Sequence, residues 1–447
     1  MSSKTLAVRG AAWTIIGYGF NQGLRLVSNL ILTRLLVPEL FGLMALINTF
    51  IIGLNLFSDV GIGPSIIQNK RGNEPAFYNT AWTLQAIRGF GLWLCCLAIA
   101  WPVAQIYDEP QLRWLIPIVG LSTILAGFNS TAIFSLNRRM ALGKLTIFEI
   151  AIQVATLAVM VGWAWISPTI WALVAGNLVS GFVKMALSHG LVPQTQNRFA
   201  WDQTALEELF TFGRWIFVST AMLFLATQAD RLILGKLFSF ELLGIYTIAF
   251  MIADVPRQVV AAVSHKVIFP LVSQHAELSR ETLRAKILPK RRLLLVGFAF
   301  LTTSLACFGD VLILSLYNDQ YAQAAWMLPI LALGIWPIVL FQLINPSLLA
   351  IGKPLYGACG NTLKFIYMVV GVPLAFSFLG VLGAIVAIAF NDLPLYGAVT
   401  YGLEKEHLSV LKQDFQVTLL LIGLITLICT GRYFLNLGLP IEEILSG

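Results

Sequence analysis

The chain has 447 residues, 58% of them hydrophobic and 11% charged, and a mean hydropathy of +0.81. So large an apolar fraction cannot be hidden in the core of a water-soluble domain, which excludes a soluble enzyme or binding module. The net charge of +7 is explained by membrane topology and anionic lipid, and it implies no nucleic-acid partner.

The first apolar run, from Gly10 to about Leu36, is too long for a signal-peptide core of about 7–15 residues. Apolar runs of about 20 residues, enough to cross a bilayer, recur from there to the end. Run length and breakers predict about thirteen spans. Six cover roughly 10–36, 41–67, 79–106, 112–136, 145–165 and 169–189. A polar stretch from His189 to Ala205 follows. Seven more cover roughly 206–235, 241–269, 291–316, 322–350, 357–377, 380–401 and 414–435. The five cysteines, Cys95, Cys96, Cys307, Cys359 and Cys429, all lie in apolar runs and read as small core residues. His189, His265, His275 and His407 are isolated, so no zinc motif forms.

One stretch occurs twice. Leu30–Leu43 and Leu232–Ile245 share an order without gaps: apolar residues, a cation (Arg34, Lys236), apolar residues, an acid (Glu39, Glu241), a leucine, one apolar residue, a glycine (Gly42, Gly244). Trp114–Ile118 likewise resembles Trp326–Ile330, with Pro117 and Pro329 in register, and Leu142-Gly143-Lys144 resembles Ile351-Gly352-Lys353. The order is the same in both halves. The expectation is two homologous lobes, 1–200 with its cytoplasmic connector and 201–402, followed by an additional span and tail over 403–447.

The loops alternate in charge. One set carries Lys4, Arg9, Lys70, Arg71, Arg138, Arg139, Lys144, Arg198, Arg280, Arg284, Lys286, Lys290, Arg291, Arg292, Lys353, Lys405 and Lys412. The other has Arg34, Arg113, Lys236 and Arg432 beside Asp108, Glu109 and Asp319. The cation-rich set, and with it the N-terminus, is expected in the cytoplasm. The outer turns Ile166–Thr169 and Leu379–Val381 are bare. A membrane-embedded glycosyltransferase or polymerase needs a folded outer loop to carry its acids or metal, so an enzyme is disfavoured. Gln274 to Arg292 reads either as a surface helix or as an inside-retention charge cluster.

Charges inside spans are functional candidates, because each costs roughly 2.5–3.5 kcal/mol or more at the bilayer centre. They are Arg25, Arg88, Asp254, Arg257, Lys364, Asp392 and Lys184, with Asp230 and Arg231 near the outer end of the seventh span. Asp254 and Arg257 share a helical face and either bind a ligand or neutralise one another. Lys184 reads as snorkelling to the inner face and Asp59 as a cap or partner. Asn21, Gln22, Asn29, Asn48 and Asn55 give the first two spans a polar face suited to sugar hydroxyls or to interhelical hydrogen bonds. Trp13, Trp82, Trp101, Trp114, Trp163, Trp165, Trp171 and Trp326 read as an aromatic belt.

Arg34 to Leu43, then Asp59-Val60-Gly61-Ile62-Gly63 and Ile66-Ile67-Gln68, resemble the opening two helices of bacterial oligosaccharide flippases, the polysaccharide-exporting branch of the MOP superfamily. Phe199-Ala200-Trp201-Asp202 with Leu209-Phe210-Thr211-Phe212-Gly213 resembles that family's approach to the second lobe. Asp230-Arg231-Leu232-Ile233-Leu234-Gly235 and Phe269-Pro270 resemble its seventh and eighth helices. Two departures stand out: Arg231 replaces a frequent amide, and relatives often continue into a fourteenth span.

The resemblance implies an all-α polytopic membrane protein of two six-helix lobes around a central cavity. It implies a transporter in the bacterial cytoplasmic membrane that moves undecaprenyl-diphosphate-linked oligosaccharide to the outer leaflet by alternating access, for exopolysaccharide, O-antigen or capsule. In that reading Arg25, Arg88, Arg231, Arg257 and Lys364 meet the diphosphate, and Asn21, Gln22 and Asn55 the sugars. Asp230, Asp254 and Asp392 are the candidates for proton or sodium coupling. There is no cofactor. The partners are the lipid-linked substrate and membrane lipid, with a polymerase and glycosyltransferases as further candidates. The rival functions are an ion-coupled drug or metabolite exporter and a lipid II flippase of the same superfamily.

The charge asymmetry makes a direct prediction. A single cysteine at Ser273, in a cysteine-free background, is expected to react only with reagent supplied from the cytoplasmic side. Labelling from outside alone would invert the topology.

Overall fold

The computed structural model describes residues 3–139, 141–192, 195–264, 268, 272 and 279–440, and of 3–16, 18 and 212–219 the backbone alone. The side chains of Lys4, Arg9, Trp13 and Phe212, and the residues His265, Phe269, Pro270, Ser273, Gln274 and His275 named above, lie outside it. All regular structure among the described residues is helical. Nine stretches there are long and apolar enough to cross a membrane. A tenth passes when Leu112–Gly127 and Ala132–Arg138, bent by 58°, are taken together. The 51-residue stretch Leu355–Lys405 contains two of the expected spans. Its fold-back is at Gly380, with φ +58°, a backbone geometry that glycine adopts without steric cost.

The chain divides into two compact units, Met1–Phe224 and Leu225–Gly447. The first contains α1 (Ser3–Leu35), α2 (Pro38–Phe57), α3 (Ile62–Gln68), α4 (Pro75–Ile106), α5 (Leu112–Gly127), α6 (Ala132–Arg138), α7 (Leu142–Ile166) and α8 (Ile170–Gly190), and the start of α9 (Gln203–Leu237). Helix α4 packs on α5, α5 on α8, α8 on α7 and α7 on α1. The connector before α9 is extended and docks on the polar first turns of α4. Its amides at Arg198, Ala200 and Asp202 donate to Asn79 Oδ1, Thr83 Oγ1 and Thr80 Oγ1 at 3.0–3.1 Å.

Arg71 fastens the same region. It meets Glu74 at 2.9 Å, Glu208 at 3.0 Å and Asp202 at 3.5 Å. Hydrogen bonds to Glu74 and then Glu208 hold the Arg71 guanidinium pKa above its ordinary value. Those from Thr204 and the Ala205 amide, with Arg71 adding less, hold Asp202 below the ordinary carboxylate range.

The second unit contains the end of α9, then α10 (Phe240–Ala253), α11 (Val255–Val263), α12 (Arg280–Leu316), α13 (Ala324–Gly334), α14 (Trp336–Gln342), α15 (Asn345–Ala350), α16 (Leu355–Ala389), α17 (Leu393–Lys405) and α18 (Leu411–Phe434). Ala324–Ala350 is its most buried stretch. Helix α13 packs on α12, α10 and α16, and α18 packs along α12.

The duplicated sequence stretch produces the same local structure in each unit. One helix stops at Leu35, or Leu237, and the next starts at Pro38, or Phe240. Leu36 and Phe238 are buried between them, Gly42 and Gly244 are buried, and Arg34, Lys236, Glu39 and Glu241 are exposed.

Several expectations need correction. Arg291 and Arg432 are not loop cations: they are buried to 0% and 4% exposure. Arg291 pairs with Asp414 at 2.6 Å, and Arg432 grips Asp310 with Nη1 at 2.8 Å and Nη2 at 2.6 Å. Trp82 is no belt residue: it is buried against Phe199 and Phe128, at 4.9 and 5.8 Å between ring centroids. Cys95 and Cys359 are exposed, whereas Cys96 and Cys307 are buried. Residues Arg280 to Arg292 form no separate surface helix; they are the first turns of α12.

The two pairs cross-link α12 and α18 with opposite sense, cation then acid on α12, acid then cation on α18. Removing one member of a buried pair costs about 3–5 kcal/mol, while replacing both by apolar residues is often neutral. Asp310→Leu is therefore expected to lower the melting temperature in detergent markedly, and the double change Asp310→Leu/Arg432→Leu to restore most of the loss. Equal melting temperatures for the two variants would remove the pair from the account of stability.

Candidate functional site

Each unit holds a polar cavity at a place where helices break. In the first unit the break lies between α5 and α6. Its backbone groups would be costly to leave unpaired inside a membrane, and side chains from other elements satisfy them. Gln85 Nε2, on α4, donates to the carbonyls of Ala126, Gly127 and Asn129 at 3.0–3.1 Å. Ser188 Oγ accepts from the Ser130 amide at 2.8 Å, and the His189 ring meets the Phe128 carbonyl at 3.0 Å. Helices α4 and α5 come close because both are glycine at the crossing. A Cβ on Gly89 would lie 3.1 Å from Gly127 Cα and 2.6 Å from the Thr123 carbonyl oxygen.

Beside this break is a cavity of about 310 Å3 lined by Asn55, Asp59, Gln85, Arg88, Asn129 and Lys184 among others. Arg88 donates from Nε to Ser58 Oγ at 2.9 Å and from Nη2 to the Asn55 carbonyl at 2.5 Å. It thus caps the C-terminal end of α2, where a cation is favoured. Its Nη1 carries no hydrogen bond to a described residue and is left to the cavity. Asp59 is occupied locally, accepting from the Gly61 amide at 2.9 Å. Asn55 donates back to Ile51 of its own helix. Lys184 is exposed and lines the cavity.

Arg25 is exposed on α1 and does not line this cavity. Asn21 and Gln22 are half-buried one turn earlier, and Asn21 Oδ1 is buried with no partner among the described residues.

In the second unit the structure gathers six of the candidates. Asp230, Arg231, Asp254, Arg257 and Lys364 line a cavity of about 200 Å3 with Asn391. Asp392 lies behind it, accepting from Lys364 Nζ at 2.6 Å and from Arg257 Nη2 at 2.9 Å. Arg257 also meets Asp254 at 2.8 Å, an ionic contact without hydrogen-bond alignment. Asp254 and Arg257 therefore do neutralise one another, and Asp392 joins them to Lys364. Asp230 is buried: its Oδ2 accepts from the Tyr246 hydroxyl at 2.7 Å, and Oδ1 meets no donor among the described residues. Arg231 donates to Gln228 at 2.6 Å and lies over the Phe250 ring at 5.7 Å. Three acids face three cations, so the cluster carries no net formal charge.

Both network acids sit at helix starts. Asp254 precedes α11 and Asp392 precedes α17, each two residues before a proline, Pro256 and Pro394. Proline is tolerated in a first turn, where its missing N–H is not needed, and the positive end of the helix dipole favours the carboxylate. This repeated Asp-x-Pro within apolar runs was a signal available in the sequence. Nothing comparable marked Gln85 or Asn129.

Chemically the arrangement offers what anions and sugars can take up without covalent chemistry: cations, amides, and an apolar surround. Loss of Asp392 would leave buried Lys364 without its counterion and Arg257 with Asp254 alone, whereas loss of Lys364 leaves Arg257 to pair with Asp392. Asp392→Leu is accordingly expected to destabilise by about 3–5 kcal/mol and Lys364→Met by less, read as thermal stability of the purified protein. Equal effects of the two changes would contradict the pairing order.

The family described as polysaccharide biosynthesis protein matches residues 31–326. Over 366 residues the chain is 23% identical to the succinoglycan biosynthesis transport protein ExoT of Rhizobium meliloti, covering 82% of this chain and 70% of that one. It is 24% identical over 304 residues to the teichuronic acid biosynthesis protein TuaB of Bacillus subtilis, covering 66% and 61%. With the lipopolysaccharide biosynthesis protein WzxC of Escherichia coli it shares 23% over 272 residues, covering 60% and 55%. Among solved structures it is similar to the lipid II flippase MurJ in an inward closed conformation, with a TM-score of 0.73 at 10% identity over 93% of this chain and 92% of that one. An inward-facing multidrug resistance MATE family transporter of the MOP superfamily gives 0.69 at 12% identity, over 86% and 94%. At such identities these two establish the fold alone, an all-α membrane-transporter fold.

Proposed function

The chain belongs to the polysaccharide biosynthesis protein family, and we propose on that premise that it is a flippase for undecaprenyl-diphosphate-linked oligosaccharide. It carries these units by alternating access from the inner to the outer leaflet of the bacterial cytoplasmic membrane, with its own N-terminus cytoplasmic. The product feeds a surface polysaccharide, and a polymerase and glycosyltransferases are the working partners. The relatives' names support the reading, since they speak of the biosynthesis of succinoglycan, teichuronic acid and lipopolysaccharide, and the first of them also of transport.

The observation that carries it is the cavity beside the α5–α6 break. A sugar head group crossing hydrocarbon loses its hydrogen bonds, at several kcal/mol for each unsatisfied group. A hydrated pocket that offers amides and cations replaces them while the lipid tail stays in the bilayer. Gln85, Asn129 and Asn55 line that pocket with Arg88 and Lys184. The one carboxylate among them, Asp59, is held by the Gly61 amide. An arginine fixed on two nitrogens, with no hydrogen bond from the third to any described residue, suits a diphosphate oxygen, because charge-assisted hydrogen bonds are the strong ones. Arg231, Arg257 and Lys364 of the second unit remain diphosphate ligands in this reading, and Arg25 with Asn21 and Gln22 extend it along α1. Proton or sodium coupling falls to Asp230, Asp254 and Asp392. Asp230 fits the role best: among the described residues no cation pairs with it, and one of its oxygens is buried without a donor.

A hydrogen bond to a charged group is worth roughly 1.5–3 kcal/mol, so Arg88→Ala should slow export tenfold or more. Arg88→Lys should fall between, since the charge stays and the planar fork is lost. Export is normalised to the amount of protein in the membrane. Wild-type rates in both Arg88→Ala and Lys184→Ala would remove this cavity from the transport path.

A further inference from the structure

A third cavity, of about 430 Å3, lies where α12 meets α18. We propose that it binds the phosphate headgroup of an anionic phospholipid, a site separate from the transported substrate and independent of the flippase reading.

The groove is built from two helix faces. On α12, Arg284, Leu288 and Arg292 recur every four residues and share a face. On α18, Lys412 and Gln413 complete it. Its floor is fixed by buried contacts. Gln413 donates to the Leu288 carbonyl at 2.8 Å and accepts from Arg291 at 2.8 Å, and Arg291 pairs with Asp414 at 2.6 Å. Residues adjacent in sequence thus divide their roles: Arg291 and Asp414 point inward and consume one another, while Arg292 and Lys412 are exposed on the groove. Among the described residues no carboxylate pairs with Arg284, Arg292 or Lys412. Three cations on a fixed scaffold make an anion site.

The surroundings identify the anion as a lipid. From Leu293 to Gly309, α12 carries no charge, so the cations occupy its last polar turns before hydrocarbon, the level of phospholipid phosphates. Immediately beyond them Leu293 is 76% exposed and Phe415 66% exposed. These two expose apolar surface one and three residues on from the lining cations Arg292 and Lys412, so one ligand carrying a phosphate and a hydrocarbon chain meets both parts. A soluble phosphate would leave the apolar part bare. Basic pockets of this kind between transmembrane helices attract anionic headgroups.

The test uses the full chain, purified in detergent, and native mass spectrometry with phosphatidylglycerol titrated against phosphatidylcholine. Each cation near a membrane surface contributes about fivefold, equivalent to about 1 kcal/mol. The triple variant Arg284→Gln/Arg292→Gln/Lys412→Gln should therefore lose retention of phosphatidylglycerol by on the order of a hundredfold. Arg139→Gln/Lys144→Gln/Lys405→Gln removes the same charge from other exposed positions and should leave retention unchanged. Arg284→Lys/Arg292→Lys should retain the lipid, which guards against loss through misfolding. Equal losses in the two Gln triples would reduce the effect to bulk charge and overturn the proposal. Displacement by millimolar inorganic phosphate would make the groove a soluble-anion site, and displacement by undecaprenyl diphosphate at lower concentrations than phosphatidylglycerol would make it part of the substrate path. Either outcome also overturns it.

Discussion

The side-chain amide of Gln85 against the carbonyls of Ala126, Gly127 and Asn129 is the contact on which the first unit depends. A helix can break within a membrane only if the protein supplies partners for the backbone groups that the break frees. Here the partners come from α4, from α8 and from the connector, where Asn197 Oδ1 accepts from the Thr131 amide at 3.3 Å, so three elements must be in place for α5 to end where it does. The cavity is a by-product of this repair. Its amides and cations stand where they do because α4 has to approach α5 at glycines and then hold the loose end.

The second unit solves a different problem, that of charges inside apolar helices. An unpaired charge there would cost several kcal/mol, and each member of the Asp254–Arg257–Asp392–Lys364 chain removes that cost from its neighbour. Asp230 is the exception, held by a tyrosine hydroxyl instead of a cation. Charge in the spans therefore divides into groups that complete one another and groups that still have bonding capacity to spare. Groups of the second kind have the most to offer a ligand.

The membrane class and the repeated helix–turn–helix at Leu30–Leu43 and Leu232–Ile245 were legible in the sequence because they depend on local composition. The bare turn at Leu379–Val381 was legible for the same reason, and the left-handed geometry of Gly380 fulfils it. The intramembrane charges were legible as individuals, through their cost in hydrocarbon. Their partners were not, since Lys364 meets Asp392 and Arg257 meets Asp392 across long stretches of chain. Arg291 and Arg432 were misplaced because a cation at the edge of an apolar run looks the same whether it faces water or a buried carboxylate.

The reciprocal pairs between α12 and α18 bear on how the chain is made. Arg291 and Asp310 are nineteen residues apart on α12, about 28 Å at 1.5 Å per residue, close to the thickness of the hydrocarbon core. Helix α12 is synthesised first and must wait, with a cation near one face of the bilayer and an acid near the other, until α18 brings their complements. A ribosome that stalls before residue 411 leaves both charges without counterions. Such a nascent chain carries its own mark of incompleteness, which is what a membrane-bound quality-control protease needs in order to tell an unfinished product from a finished one.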